Sequence, residues 1–238
     1  MSLATTIQKF HQKEVLFRPL VRQLIDHSAW ILPSHNKEHP SLWRSPNGIW
    51  LSAFTSMETF KQQASESDFI TQQGMSLFAN LNTPIDAIVI DPGTPYALQF
   101  TQKMFPTLKR WSAAINVERI LENPQNRSEA ATILRDYEGF YIPVIKSDSG
   151  KAHLALAPDK QGRKLAAVFT AEDTLQRFLD IAQQALGDDL IIDMISGRKL
   201  FSTLYELPLD GVVFNCNGPV KPQALRMQFI NYLMLEDN

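Results

Sequence analysis

The stretch Asp86-Ala-Ile-Val-Ile-Asp-Pro-Gly-Thr-Pro95 sets four apolar residues between an aspartate and a loop of proline and glycine. A run that short, apolar throughout and closed by turn residues, reads as a strand covered on both faces. Asp210-Gly-Val-Val-Phe-Asn-Cys-Asn-Gly-Pro219 has the same layout at an offset of 124. Upstream the correspondence continues: Ala53-Phe54-Thr55 matches Val168-Phe169-Thr170 at 115, and Trp30-Ile31-Leu32-Pro33 matches Phe140-Tyr141-Ile142-Pro143 at 110. Three landmarks in one order, with an offset that grows along the chain, imply a tandem duplication whose second copy has the longer loops.

Each copy then reads as one series of elements. A helical stretch comes first, Ile7 to Ile25 and again Val117 to Leu134, the second interrupted near Asn123-Pro124. Extended segments rich in aromatic and branched residues follow at Trp30–Leu32 and Phe140–Ile145. Pro46-Asn-Gly48, Ser147-Asp-Ser-Gly150 and Pro158-Asp-Lys-Gln-Gly162 mark hairpins. The next strand alternates, with Trp50, Ser52 and Phe54 on the face of Leu165, Ala167 and Phe169, so one buried face is expected in each copy.

Thr55-x-x-Glu58 and Thr170-x-x-Asp173 have capping-box spacing and predict helix starts, with Phe60 and Leu175 in matched places. After a short strand at Phe69-Ile70 or Leu190–Ile192, a second helix pairs Leu77 and Leu81 with Phe201 and Tyr205. Pro84 and Pro208 stop these runs, and Pro222 to Leu235 is expected to form a terminal helix across the pair. The fold class is α+β: a tandem duplication of a mixed-sheet unit with flanking helices in a pseudo-twofold arrangement, divided as 1–110 and 111–238.

Phe54-Thr55 with an acid three positions on, followed after two helices by V-(I/F)-(D/N)-P-G-x-P, resembles the N-terminal domain of the SseB, or enhanced serine sensitivity, family. The resemblance covers roughly Ile7–Thr101 and again Val117–Pro222, and the second copy departs from it at Asn215-Cys216-Asn217-Gly218-Pro219. It implies a bacterial α+β domain and assigns no catalytic residue.

Bulk chemistry narrows the function classes. A formal charge of −2 over 238 residues argues against a large basic surface, hence against nucleic-acid or anionic-membrane partners. One cysteine, Cys216, forbids an intrachain disulfide and any multi-cysteine metal site, and fits a reducing, cytoplasmic compartment. The N-terminus lacks the basic-then-apolar order of a signal peptide, and no apolar run is long enough to span a membrane.

The common catalytic motifs, among them G-x-G-x-x-G, H-E-x-x-H and G-x-S-x-G, do not occur. His35 and His39 flank Glu38 between two prolines and read as a solvated turn, and Asp188, Asp189 and Asp193 as solvated loop charge. His11, His27 and His153 read as surface or satisfied interior residues. Asp86 and Asp210 precede the buried strands and are expected to bind nearby backbone amides.

The loops after those strands are the candidate binding region: Asp91, Pro92, Gly93, Thr94 and Pro95, then Asn215, Cys216, Asn217, Gly218 and Pro219. No cofactor and no metal is expected. The leading reading is a non-catalytic module for a protein or peptide partner. The alternative is an enzyme acting on a small metabolite in a groove between the units, with Asp91, Asn215 or Cys216 as its polar groups.

Overall fold

A computed structural model describes residues 2–46, 48–64, 68–81, 84–123, 127–146, 152–157, 159, 161–186, 189–218 and 220–235. The chain divides into two compact units, Met1–Ala113 and Ala114–Asn238. The structure is α+β, with helices packed on mixed sheets.

The first unit opens with α1 (Leu3–His11) and α2 (Phe17–Asp26), where the sequence suggested one helix. The break lies at Lys13, whose φ of 61° turns the chain left-handed. Lys13 N–H then bonds the Phe10 carbonyl and Glu14 N–H the Lys9 carbonyl, a Schellman stop. β1 (Trp30–Ser34), β2 (Leu42–Ser45), β3 (Gly48–Ala53), α3 (Met57–Gln63), β4 (Asp68–Gln72), α4 (Gly74–Ala79), β5 (Ala87–Ile90) and β6 (Leu98–Thr101) follow. They make a four-stranded sheet in the order β2-β3-β5-β6 and an antiparallel pair β1-β4. Among the described residues of this unit only β3 and β5 run parallel, because α3, β4 and α4 lie between them in the chain and form the crossover that a parallel pair needs. A 3-10 turn at Gln102–Met104 leads into α5 (Phe105–Glu122).

In the second unit α6 (Arg127–Asp136), β7 (Phe140–Lys146), β8 (Ala152–Leu154), β9 (Leu156–Ala157), β10 (Leu165–Val168), α7 (Glu172–Leu186), β11 (Leu190–Ile195), α8 (Gly197–Tyr205), β12 (Gly211–Phe214), β13 (Gln223–Arg226) and α9 (Met227–Leu235) come in turn. The sheet β9-β10-β12-β13 has the same pairing senses as β2-β3-β5-β6, with β10 and β12 the parallel pair. Beside it, β7 pairs antiparallel with β11 and β8.

Several local expectations shift. The strand expected to bury one face buries both: in β10, Ala166 and Val168 enter one core with Val212 and Phe214, while Leu165, Ala167 and Phe169 enter another with Leu175 and Phe178. Thr55 does not cap α3; Ser56 does, accepting from Thr59 N–H at 3.1 Å. Nor does Thr170 cap α7, where the Thr174 hydroxyl bonds both backbone groups of Ala171.

The match between α4 and α8 moves by one residue, since Gly74 and Gly197 both begin their helices against carbonyls of an earlier helix, Leu24 of α2 and Leu134 of α6. Leu77 therefore corresponds to Leu200, and exposed Tyr205 is not the counterpart of buried Leu81. The segment from Pro222 is not all helix: Gln223–Arg226 is β13, paired with β12 from Gly211 to Phe214, and α9 begins at Met227. The Ser147–Gly150 turn, Asn47, Pro124 and Pro158 lie outside the described residues.

Candidate functional site

Each parallel pair is clasped at both ends by a side chain from the later strand. At the first end of β5, Asp86 Oδ2 accepts from Ile49 N–H at 2.8 Å; before β12, Asp210 Oδ2 accepts from Lys164 N–H at 2.8 Å. At the far end, Asp91 Oδ1 accepts from Thr55 N–H at 2.8 Å and Oδ2 from the Thr55 hydroxyl at 2.7 Å. Asn215 Oδ1 takes Thr170 N–H at 2.9 Å, and the Thr170 hydroxyl lies between it at 3.1 Å and Glu118 Oε1 at 2.7 Å. The backbone amides of Asp91 and Asn215 also donate to Ala53 and Val168, so the turn continues the ladder by one rung.

The candidate loop residues divide accordingly. Asp91 and Asn215 are buried, at 0% and 3% exposure, with φ of 46° and 56°. Asp and Asn are the non-glycine residues that enter the left-handed region most readily. Their side chains hold the fold rather than face a partner. The Thr94 hydroxyl donates to the Asp91 carbonyl, closing the turn.

Gly93, Pro95 and Asn217 are exposed, Pro92 and Gly218 half-buried, and Pro219 lies outside the described residues. Cys216 sits in the apolar cluster with Leu175 and Val213, and burial pushes its thiol up to about 11. A thiol so placed packs in the core, and its thiolate form is disfavoured.

The other sequence candidates stay as turns and surface. Asn36 Oδ1 accepts from Glu38 and His39 N–H while Ser34 Oγ accepts from Lys37 N–H, so the segment bearing His35 and His39 is closed upon itself. Asp193 is exposed on β11, Asp189 is exposed, and Asp188 lies outside the described residues. Among the described residues, no group of three or more His, Cys, Asp or Glu is placed to hold a metal ion. No helix among them is long and apolar enough to cross a membrane.

His27 is the residue that sequence reasoning missed. Its Nε2 is shielded from solvent and has no hydrogen-bond partner among the described residues. Burial lowers its pKa below 6.5, against the opposing influence of the Ala29 carbonyl, the Asp91 charge and the Thr55 carbonyl. The same burial raises Asp91 above its ordinary value, only partly countered by its Thr55 bonds and His27. His27 lines a cleft of about 410 Å³ in the first unit together with Thr55, Ser56, Glu58, Gln62 and Tyr96. Tyr96 follows the DPGTP loop directly, so that loop borders the cleft. The sequence signal was available: the residue 110 positions after His27 is Tyr137, a different side chain at a matched place.

The second unit carries a larger groove of about 640 Å³. Ile120, Leu134, Leu225 and Phe229 supply apolar lining, with Tyr232 beside them. Arg127, at the start of α6, and Arg226, at the end of β13, are exposed on its lining.

Residues 19–104 match the family model described as SseB protein N-terminal domain, a span that holds His27, Thr55, Glu58, Asp91 and Tyr96. No curated protein matches the chain. Among solved structures, Anabaena Tic22 (protein transport) aligns at 11% identity and a TM-score of 0.24, covering 82% of this chain and 88% of that chain. A score that low carries no argument here.

Proposed function

We propose that the chain is a cytoplasmic, non-catalytic binding module built from two related copies of one SseB-like unit, and that its second unit receives a peptide segment of a protein partner. The clasp bonds that recur at offsets of 115 (Ile49 to Lys164) and 124 (Asp86 to Asp210) support the duplication. The single free cysteine supports a reducing compartment. Against an enzyme stands the use already made of Asp91, Asn215 and Cys216, which are buried in clasps or core.

One observation carries the peptide reading: the groove of the second unit joins an apolar floor to two exposed guanidinium groups. Its volume falls within the range of about 300–1,000 Å³ typical of ligand pockets. Apolar side chains of a peptide gain by burial there, and acidic residues gain from Arg127 and Arg226. The matching partner is an amphipathic segment with acidic flanks.

The test is fluorescence anisotropy with two labelled peptides of one apolar pattern, flanked in one by glutamate and in the other by lysine. The acidic peptide is expected to bind more tightly, and the Arg127→Glu/Arg226→Glu double variant to reverse the order. Equal affinities for the two peptides in the wild type would overturn the reading.

A further inference from the structure

The groove of the second unit lies along a strand edge. In the sheet β9-β10-β12-β13, β13 is the outermost strand, and among the described residues it pairs with β12 alone. Ala224, Leu225 and Arg226, three consecutive residues of β13, line the groove with Ile120 of α5, Leu134 of α6 and Phe229 of α9. Side chains alternate between the two faces of a strand, so a groove confined to one face meets every second residue. Leu225 packs toward the core that holds Leu134 and Phe214, whereas Ala224 and Arg226 are exposed and belong to the other face. A groove that meets all three therefore runs along the backbone edge.

The ladder fixes which backbone groups point there. Met227 N–H donates to the Asp210 carbonyl at 3.3 Å, one step beyond the pair Arg226 and Gly211. In an antiparallel ladder bonded and non-bonded pairs alternate, so the bonded pairs within β13 are Leu225 with Val212 and Gln223 with Phe214. The Leu225 carbonyl does face β12, since a Cβ on Gly211 would meet it at 2.2 Å. Ala224 and Arg226 then direct their N–H and C=O groups away from β12, toward the groove. Such a row of donors and acceptors is a template for one more strand.

We propose that the acidic, amphipathic peptide binds by adding itself to β13 as an extended strand, an inference that rests on the groove being a peptide site and names the conformation it selects. β13 has four residues, so the paired stretch spans about 13 Å. Bonds to the backbone of Ala224 and Arg226 supply affinity, and the alternating side chains supply selectivity. Residues of the added strand that share the face of Leu225 meet Phe229 and Tyr232 and are apolar; those beside Arg226 share its face and are acidic. The pattern required is strict alternation, not the spacing of an amphipathic helix. A second copy of this chain does not suit the edge, because pairing two of them would gather Arg127 and Arg226 of both copies at one seam.

The experiment compares labelled peptides of one composition by fluorescence anisotropy: one alternates valine and glutamate, and the other holds the same residues at helical spacing. The alternating peptide is expected to bind about tenfold more tightly or better. Backbone N-methylation at every second residue removes the donors from one edge of a strand, so two N-methylated forms are added, one for each edge. One form should lose about tenfold or more in affinity and the other stay within about threefold of the parent. Amide exchange of the protein, followed by NMR at peptide saturation, locates the strand: Ala224 and Arg226 should slow by about tenfold or more, while Leu225, already bonded to β12, changes little. If glutamate-flanked and lysine-flanked peptides bind alike, the peptide reading fails and this inference with it. If the acidic preference holds but the reordered peptide binds as tightly, both N-methylated forms bind alike, or the two amides keep their exchange rates, the added strand is refuted and the groove takes its peptide in another conformation. Protection of those amides that grows with protein concentration alone would give the edge to a second copy and also overturn the proposal.

Discussion

Replacing Asp91 by alanine removes both acceptors from the Thr55 clasp, and the structure sets the scale of the loss. Thr55 N–H, held at 2.8 Å in a half-buried residue, loses its acceptor, a loss toward the lower end of the about 1–3 kcal/mol that an unsatisfied buried donor costs. The residue keeps a φ of 46°, where alanine adds about 1 kcal/mol that aspartate largely avoids. Set against these is relief from burying a carboxylate, a burden visible in its raised pKa. The net expectation is a loss of about 2–4 kcal/mol, lowering the Tm by roughly 10 °C for a chain of this size. Asp91→Asn keeps one acceptor for Thr55 N–H, as Asn215 does for Thr170, and should stay within about 1 kcal/mol of the wild type.

The pH dependence separates the charge from the geometry. Burial raises the folded pKa of Asp91 above 3.8, so the folded state holds its proton more firmly than the unfolded one. Stability from that group is present below pH 3.8 and is lost as pH rises through the folded pKa. Asparagine does not titrate there, so the Tm of Asp91→Asn relative to wild type should rise between pH 4 and pH 7. Denaturation followed by circular dichroism at both values measures this. If Asp91→Ala is as stable as Asp91→Asn, or if the relative Tm of the asparagine variant falls as pH rises, the clasp does not hold the strand ends as argued.

Cys216, with its thiol pushed to about 11, should be inert to iodoacetamide at pH 8 in the native protein and react on unfolding, because only about one thiol in a thousand is then ionised. Rapid native alkylation would contradict its place in the core. Gly197→Ala would set a methyl 1.9 Å from the Leu134 carbonyl oxygen, a backbone atom at the end of α6, and should cost more than about 2 kcal/mol. Gly162→Ala, with nothing within 4 Å of the added carbon, should cost only the penalty of about 1 kcal/mol for its φ of 72°.

What was legible in the sequence was whatever depended on pattern repeated within a short window. The apolar runs of β5 and β12 read correctly because a covered strand is a local feature, whereas the aspartates in front of them bond backbone amides 37 and 46 residues away rather than nearby ones. The capping boxes misled because Thr55 has two possible uses, and only the tertiary pairing with Asp91, 36 residues away, selects one. β13 was hidden since Gln223–Arg226 runs into α9 with no turn residue between, and its strand state is imposed by β12. The His27 cleft needed a comparison residue by residue: only Tyr137, 110 positions on, marks this histidine as a place where the two stretches differ.

The loops that looked most like a site are explained by the needs of a parallel strand pair. Such a pair has no hairpin to close its ends, and in both units the last rung is extended by a side chain that accepts from the neighbouring strand while the backbone turns left-handed. Asp and Asn meet both conditions, and Asp91 and Asn215 do both. Features shared by the two units therefore report the fold, and recognition must be sought where the units differ. They differ where His27 stands against Tyr137: a cleft lies beside the histidine, whereas the tyrosine hydroxyl bonds the Thr170 carbonyl. They differ again where β13 runs directly into α9 to flank an arginine-bearing groove, whereas a 3-10 turn separates β6 from α5. If one ancestral unit gave both, the clasp was retained because the sheet requires it, and each copy's change lies beside the clasp, where a rigid strand end can position a new site without disturbing the core.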